Sequence, residues 1–259
     1  MLSTGPRNRG ITLGLVLLTV FSLGCSKREW PSLCKDLPSL CSVEELQEER
    51  YPNGAIKSRG HARLDEGDDY VRTGFWDTWY ENGQEKESGA YKNGKKTGDW
   101  WYWYQSGKKR MGEEYVDGNL VATTGWYENG NGQQEGFFKN GKKTGDWMSW
   151  YENGKKQAAG RYVNGEEVGP WTYWYENGQK KSESHYTNGN RVGLWTYWYE
   201  NGQRQGSGQF VNGKEVGTWT LWHENGQKSL EGPYVDGQKV GIWTSWNANG
   251  QKEEERALP

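Results

Sequence analysis

Leucine, isoleucine and valine are scarce in this 259-residue chain, too scarce to build the branched-aliphatic interior of a doubly wound sheet or a β/α barrel. Neither sign of charge prevails. The 32 basic and 34 acidic residues are interspersed and leave a formal net charge of -2, so no one-sign field exists to gather nucleic acid or anionic lipid. His61, His185 and His223 stand apart from one another and from the three cysteines, which argues against a metal site or a nucleophilic triad. No glycine-rich phosphate cradle precedes a helix pattern. What the chain does have is 17 Trp, 16 Tyr and 38 Gly, an aromatic content foreign to disordered proteins. Its core must consist of rings lying against glycine backbone.

Arg7 and Arg9, an uncharged stretch from Ile11 to Leu23, and then Gly24-Cys25 have the order of a signal peptide over residues 1–24, too short for a comfortable membrane span. Ser22-Leu23-Gly24-Cys25 resembles a bacterial lipobox, with Ser22 and Leu23 reversed relative to the usual order of aliphatic then small residue. That resemblance implies lipid on Cys25 and a place in the bacterial cell envelope, in the outer membrane or periplasm or at the surface. A plain secretory signal cleaved elsewhere is the competing reading. Cys34 and Cys41 are then an even pair in an exported chain, expected to form a disulfide within a tether over 25–50.

The rest of the sequence repeats. The glycine of an Asn/Asp-Gly pair recurs at Gly94, Gly118, Gly141, Gly165, Gly189, Gly213 and Gly237, in steps of 24 with one step of 23. An aromatic residue stands three places before each, as at Tyr162, Tyr186 and Phe210. A first Trp follows six places after most of them, and a second Trp three residues later at Trp103, Trp150, Trp174, Trp198, Trp222 and Trp246. Repeats extend over 51–250, ahead of a charged tail over 251–259. Tyr51-Pro52-Asn53-Gly54 looks like a decayed first turn, followed by an acidic insertion at Asp65, Glu66, Asp68 and Asp69. Near Leu120 one residue is lost and Thr123 occupies the place of the first Trp.

Asn-Gly between runs of β-formers signals a two-residue hairpin of type I′, in which both central residues take positive φ. With two such pairs per period the chain is expected to be all-β: an elongated antiparallel meander of tandem 24-residue hairpins in a single twisted layer. Alternation places Trp195, Tyr197 and Tyr199 on one face and Trp198 on the other. Tyr186, Phe210 and Tyr234 fill the gap between indoles of successive repeats, and Gly89, Gly136, Gly160, Gly208 and Gly232 offer bare backbone beneath them.

The phrases Tyr-x-Asn-Gly-Lys-x-x-Gly-x-Trp, at Tyr91 to Trp100, and Trp-Tyr-Glu-Asn-Gly-Gln, at Trp198 to Gln203, resemble the MORN-variant repeats of YwqK-type proteins, over about four-fifths of the chain. Members of that family are often described as antitoxins of toxin–antitoxin or immunity systems. The resemblance implies a non-catalytic hairpin array that binds a protein partner such as a toxin or effector, with no cofactor.

Glu128, Glu152, Glu176, Glu200 and Glu224 could suggest the paired carboxylates of a glycosidase, yet each precedes a turn in the same register. Many equivalent positions are the opposite of one asymmetric catalytic constellation. The acidic insertion lacks the ligand spacing of a calcium loop. Binding readings survive: the candidate aromatics are Trp150, Trp174, Trp198, Trp222 and Trp246, with Tyr175 and Tyr199, facing a protein partner or, alternatively, a cell-wall glycan. For most individual Trp residues a core role is the default.

Overall fold

The computed structural model describes residues 44–65 and 69–259. The expected signal peptide, Cys25, and the Cys34 and Cys41 pair lie outside the described residues, as do Glu66 and Asp68 of the acidic insertion. Two compact units divide the chain, one up to Gly98 and one from Asp99. In the first, β1 (Glu45–Arg50), β2 (Ile56–Leu64), β3 (Tyr70–Trp79) and β4 (Glu85–Lys92) pair antiparallel in sequence order. The strand β5 (Lys95–Trp103) spans the division.

The second unit continues with β6 (Lys109–Val116), β7 (Asn119–Trp126), β8 (Gly132–Lys139), β9 (Lys142–Trp150), β10 (Lys156–Val163), β11 (Glu166–Trp174) and β12 (Lys180–Thr187). It ends with β13 (Asn190–Trp198), β14 (Arg204–Val211), β15 (Lys214–Trp222), β16 (Lys228–Val235), the broken strand β17 (Gln238–Lys239) and β18 (Gly241–Trp246), and β19 (Lys252–Leu258). These too pair antiparallel in sequence order. No helix occurs among the described residues, and the all-β meander is the fold of both units. Glu45–Arg50, in the segment expected as tether, and Lys252–Leu258, in the segment expected as a charged tail, are strands.

The Asn-Gly pairs make two different turns, not one. Asn212 and Gly213 have φ of 49° and 82°, the type I′ geometry, and Asn93, Asp117, Asn140, Asn164, Asn188 and Asp236 likewise take positive φ. At Asn201-Gly202 only the glycine does, with φ of 83°. There the Gly202 amide donates to the Tyr199 carbonyl at 3.0 Å and the Tyr199 amide to the Gln203 carbonyl at 2.9 Å, a type I turn closed by a left-handed glycine. The Asn201 side chain accepts from the Gln203 amide at 2.9 Å, an asparagine side chain bonding the backbone two residues on. Tyr51-Pro52-Asn53-Gly54 makes the same turn with the same Asn53 side-chain bond, so its decayed sequence keeps the geometry.

A bulge gives each regular repeat its core. Between β12 and β13 the pairing jumps from His185–Val192 to Glu183–Thr196, so that Gly193, Leu194 and Trp195 face Ser184 alone. The extra residues let the Trp195 indole fold back over β12, where its N–H donates to the His185 carbonyl at 3.3 Å. Trp171, Trp219 and Trp243 make the equivalent bond to Arg161, Gln209 and Pro233. Each of these three lies flat on the glycine expected for it: a Cβ added at Gly160, Gly208 or Gly232 would come within 2.0 to 2.3 Å of the ring. Ser184 is the variant position, buried, with its hydroxyl 3.2 Å from the Trp171 carbonyl.

The intervening rings fill the gaps as expected. Trp195, Phe210, Trp219, Tyr234 and Trp243 follow one another edge to face, with centroids 5.1 to 6.0 Å apart. In the irregular repeat Thr123 is buried where an indole would lie. Trp101 compensates from the other face, stacked on Trp126 with centroids 6.2 Å apart and pressed against Gly112.

Candidate binding faces

The two faces of the second unit are unlike. Its front carries the first Trp of each regular repeat, buried to between 1 and 7% exposure at Trp100, Trp147, Trp171, Trp195, Trp219 and Trp243. At three of these rings a cation from the strand leaving the type I′ turn closes over the indole: Lys143 lies 4.1 Å from the Trp147 centroid, Arg191 4.9 Å from Trp195 and Lys239 4.2 Å from Trp243. Burial, and then neighbouring Tyr186 and Glu167, push the front-face Tyr173 phenol well above its ordinary value.

The back carries the second Trp of each repeat. Trp150, Trp174, Trp198, Trp222 and Trp246 are each half-buried, neither the free ladder nor the sealed core that the sequence leaves open. A lysine ammonium stands beside several of them, 5.8 Å from the ring at Trp174, 5.9 Å at Trp198 and 5.7 Å at Trp246. Along the same face run exposed aliphatic and aromatic side chains. Phe137 and Ile242 are 55% exposed and Leu194 58%, each one residue before a front-face ring and so turned to the back. Val163, Val211 and Val235 follow front-face rings and share that orientation. Sequence reading passed over these residues because they stand at positions where the repeats vary.

Tyr175 and Tyr199, read as candidate binding aromatics, have another commitment. The Tyr175 hydroxyl donates to the Trp198 carbonyl and the Tyr199 hydroxyl to the Trp222 carbonyl, both at 2.7 Å. Tyr127 and Tyr151 do the same one repeat ahead, and His223, which replaces the tyrosine, sets Nε2 2.8 Å from the Trp246 carbonyl. The turn asparagine adds a second staple, as where Asn201 Nδ2 donates to the Glu224 carbonyl at 2.8 Å. On the opposite edge the type I′ glycine amide reaches back, Gly213 to the Arg191 carbonyl at 2.9 Å. Most turns are thus tied to a neighbour, which accounts for the recurring phrase Tyr-Glu-Asn-Gly. Burial, and then the Glu200 carboxylate, raise the Tyr175 phenol above its usual value, so it stays protonated and able to donate.

Tyr175→Phe is therefore expected to lower stability by about 1 kcal/mol, leaving the Trp198 carbonyl unsatisfied, without altering partner binding. Chemical denaturation beside a binding assay checks it. Equal stability with weakened binding would return Tyr175 to the recognition surface.

The turn glutamates are exposed and occupy equivalent positions around these turns, so no two form an asymmetric pair. Among the described residues no group of three or more His, Cys, Asp or Glu comes together as a metal site.

Residues 122–140, 143–164, 167–188, 191–212 and 215–236 match the family model described as MORN repeat variant. The repeats are similar to MORN-variant repeats. The matched stretches each take in a type I turn, the strand that follows it and most of a type I′ turn. No curated protein matches the sequence. Among solved structures, TcdB2-TccC3-TEV aligns over 80% of this chain and 14% of its own, at 8% identity and a TM-score of 0.19. A protein of unknown function (BF3112) from Bacteroides fragilis NCTC 9343 aligns over 84% of this chain and 94% of its own, at 8% identity and a TM-score of 0.13. Neither likeness bears on what these repeats bind.

Proposed function

We propose that this protein is a non-catalytic binder, held in the cell envelope through lipid on Cys25, whose repeat sheet docks a protein partner. The partner is an effector that it neutralises, in keeping with the resemblance to YwqK-type antitoxins. The one-sidedness of the second unit carries this reading. Phe137, Val163, Leu194, Val211, Val235 and Ile242 are all exposed and all belong to the back face, beside the half-buried second Trp row. Apolar side chains gathered on one face of a sheet mark an interaction surface. A shallow groove of about 640 Å³ opens on that face where Ala159 leaves space between Met148, Val168 and Pro170. Rigid rings edged by aliphatic side chains are the usual anchors of protein interfaces, and a partner of matching apolar surface is what they fit.

Capture from the native envelope fraction tests the reading. The double variant Leu194→Glu and Ile242→Glu should lose at least roughly a hundredfold in partner affinity with its melting temperature unchanged. Cys25→Ala should leave binding intact but release the complex from the membrane fraction. Undiminished capture by the double variant, or capture abolished by soluble cell-wall glycan, would move recognition off the back face and favour the glycan alternative.

A further inference from the structure

One cross-strand row of the front face shows how the sheet fills its own surface. Tyr173, Ser182, Tyr197, Gly206 and Leu221 are successive partners on β11 to β15, large and small in turn, so each large side chain covers a small neighbour. The Leu221 side chain leans to within 2.9 Å of where a Gly206 Cβ would stand. The alternation fails at Ser149 and Ala158, partners on β9 and β10. Two small residues meet there, and a cleft of about 330 Å³ opens above them. Ser245, four 24-residue periods on, is another small residue at the Ser149 repeat position with a cleft above it, where the space is about 240 Å³. Both clefts keep the lysine-over-tryptophan pair, Lys143 on Trp147 and Lys239 on Trp243.

Their walls differ. Around Ser245 stand Leu230, Leu258, Glu254 and Arg256, with no amide. Around Ser149 stand the amides of Gln134 and Gln157, and the rings of Trp147, Tyr162 and Tyr173. Gln134 is the direct cross-strand partner of Ser149, and neither its amide nor the Ser149 hydroxyl has a hydrogen-bond partner among the described residues. Lys143 and Glu167 flank the space with opposite charge, and Glu167 already accepts from the Tyr173 hydroxyl at 3.2 Å.

We propose that the cleft over Ser149 and Ala158 binds one or two pyranose rings of an uncharged saccharide. A net anion would meet Glu167 and a net cation Lys143, so the balanced lining favours a neutral ligand. A purely apolar ligand would strand the Gln134 amide and Ser149 hydroxyl without partners. A pyranose has what the lining asks for: C–H faces to lie against rings and hydroxyls that both donate and accept toward amides. The volume is at the small end of ligand pockets and fits a ligand of that size. This site is on the face opposite the proposed protein-docking surface and does not rest on it.

The full chain is titrated with glucose, N-acetylglucosamine and cellobiose, followed by tryptophan fluorescence and by saturation-transfer NMR of the sugar. At least one should bind saturably with a Kd of about 1 mM, the value that about a dozen well-placed ligand atoms support. Ser149→Tyr installs the side chain that Tyr173 and Tyr197 carry at the same repeat position, and should abolish binding with the melting temperature kept. Ser245→Tyr should change nothing. Should Ser149→Tyr fail to fold, Gln134→Leu, which copies Leu230, should weaken binding at least roughly tenfold. No saturable binding by any of the three sugars overturns the proposal. So does full binding by Ser149→Tyr, or displacement of the sugar by glycine or acetate at equal concentration. Partner capture should be untouched by Ser149→Tyr, so failure here and failure of the docking surface are separable.

Discussion

Trp195→Ala is expected to cost about 3–5 kcal/mol and to melt the strands around it, whereas Trp198→Ala, three residues on, should cost less than half as much. The difference lies in what each indole touches. Trp195 is 3% exposed, stands edge-to-face against Tyr186 and Phe210 with centroids 5.2 and 5.1 Å away, and donates to the His185 carbonyl. Its removal opens a cavity, breaks a run of ring contacts and strands a carbonyl inside the bulge. Trp198 is half-buried, and its environment loses mainly contact area. Because packing joins nearest neighbours only, the loss should be local: amide exchange should accelerate across β12 to β15 before the rest of the second unit. Equal destabilisation by the two variants would show that both faces carry core, and that the back face is unavailable for recognition.

Deleting Asn188 to Val211, one whole period, is expected to leave a folded protein whose partner affinity falls by roughly tenfold to a hundredfold. The geometry allows the cut. Thr187 would run into Asn212-Gly213, which makes the same type I′ turn as Asn188-Gly189, and β15 would pair with β12. The Trp219 indole would then fall over Ser184 instead of Gly208, a place where the Trp195 indole is already accommodated. Tyr175 would meet the Trp222 carbonyl in place of that of Trp198. Only Leu194 and Val211 among the exposed back-face residues are lost, so binding spread along the face should weaken and persist. Thermal melting and affinity are measured on the same preparation. Complete loss of binding with melting unchanged would mean a single local site rather than a shared surface.

Much of this architecture is legible in the sequence because it is written in short phrases. The 24-residue period, two reversals per period, the glycine beneath most front-face indoles and the rings between indoles all follow from residues within one repeat. The type I′ reading holds at Asn212-Gly213 and fails at Asn201-Gly202. One dipeptide serves both turns, and the choice depends on whether the asparagine side chain caps its own turn and reaches the next one, as Asn201 does toward Gln203 and Glu224. The hydroxyl partners of Tyr175 and Tyr199 are hidden from the sequence for the same reason: the carbonyls they hold belong to the following repeat, 23 residues away.

The sequence by itself determined the fold class and the 24-residue spacing of turns and rings, since periodicity and turn chemistry are local and each copy restates them. Only the tertiary structure decided what the surfaces offer. The bulge that sets three residues of β13 against Ser184 shifts register by an amount no repeat announces, and that shift fixes which side chains become neighbours across strands. Ser149 and Ala158 become an open pair, and Leu194 and Ile242 an exposed apolar line, through cross-strand pairing alone. Hydrogen-bond register is a property of the assembled sheet, and a shift of one residue would have sent each of these side chains to the other face.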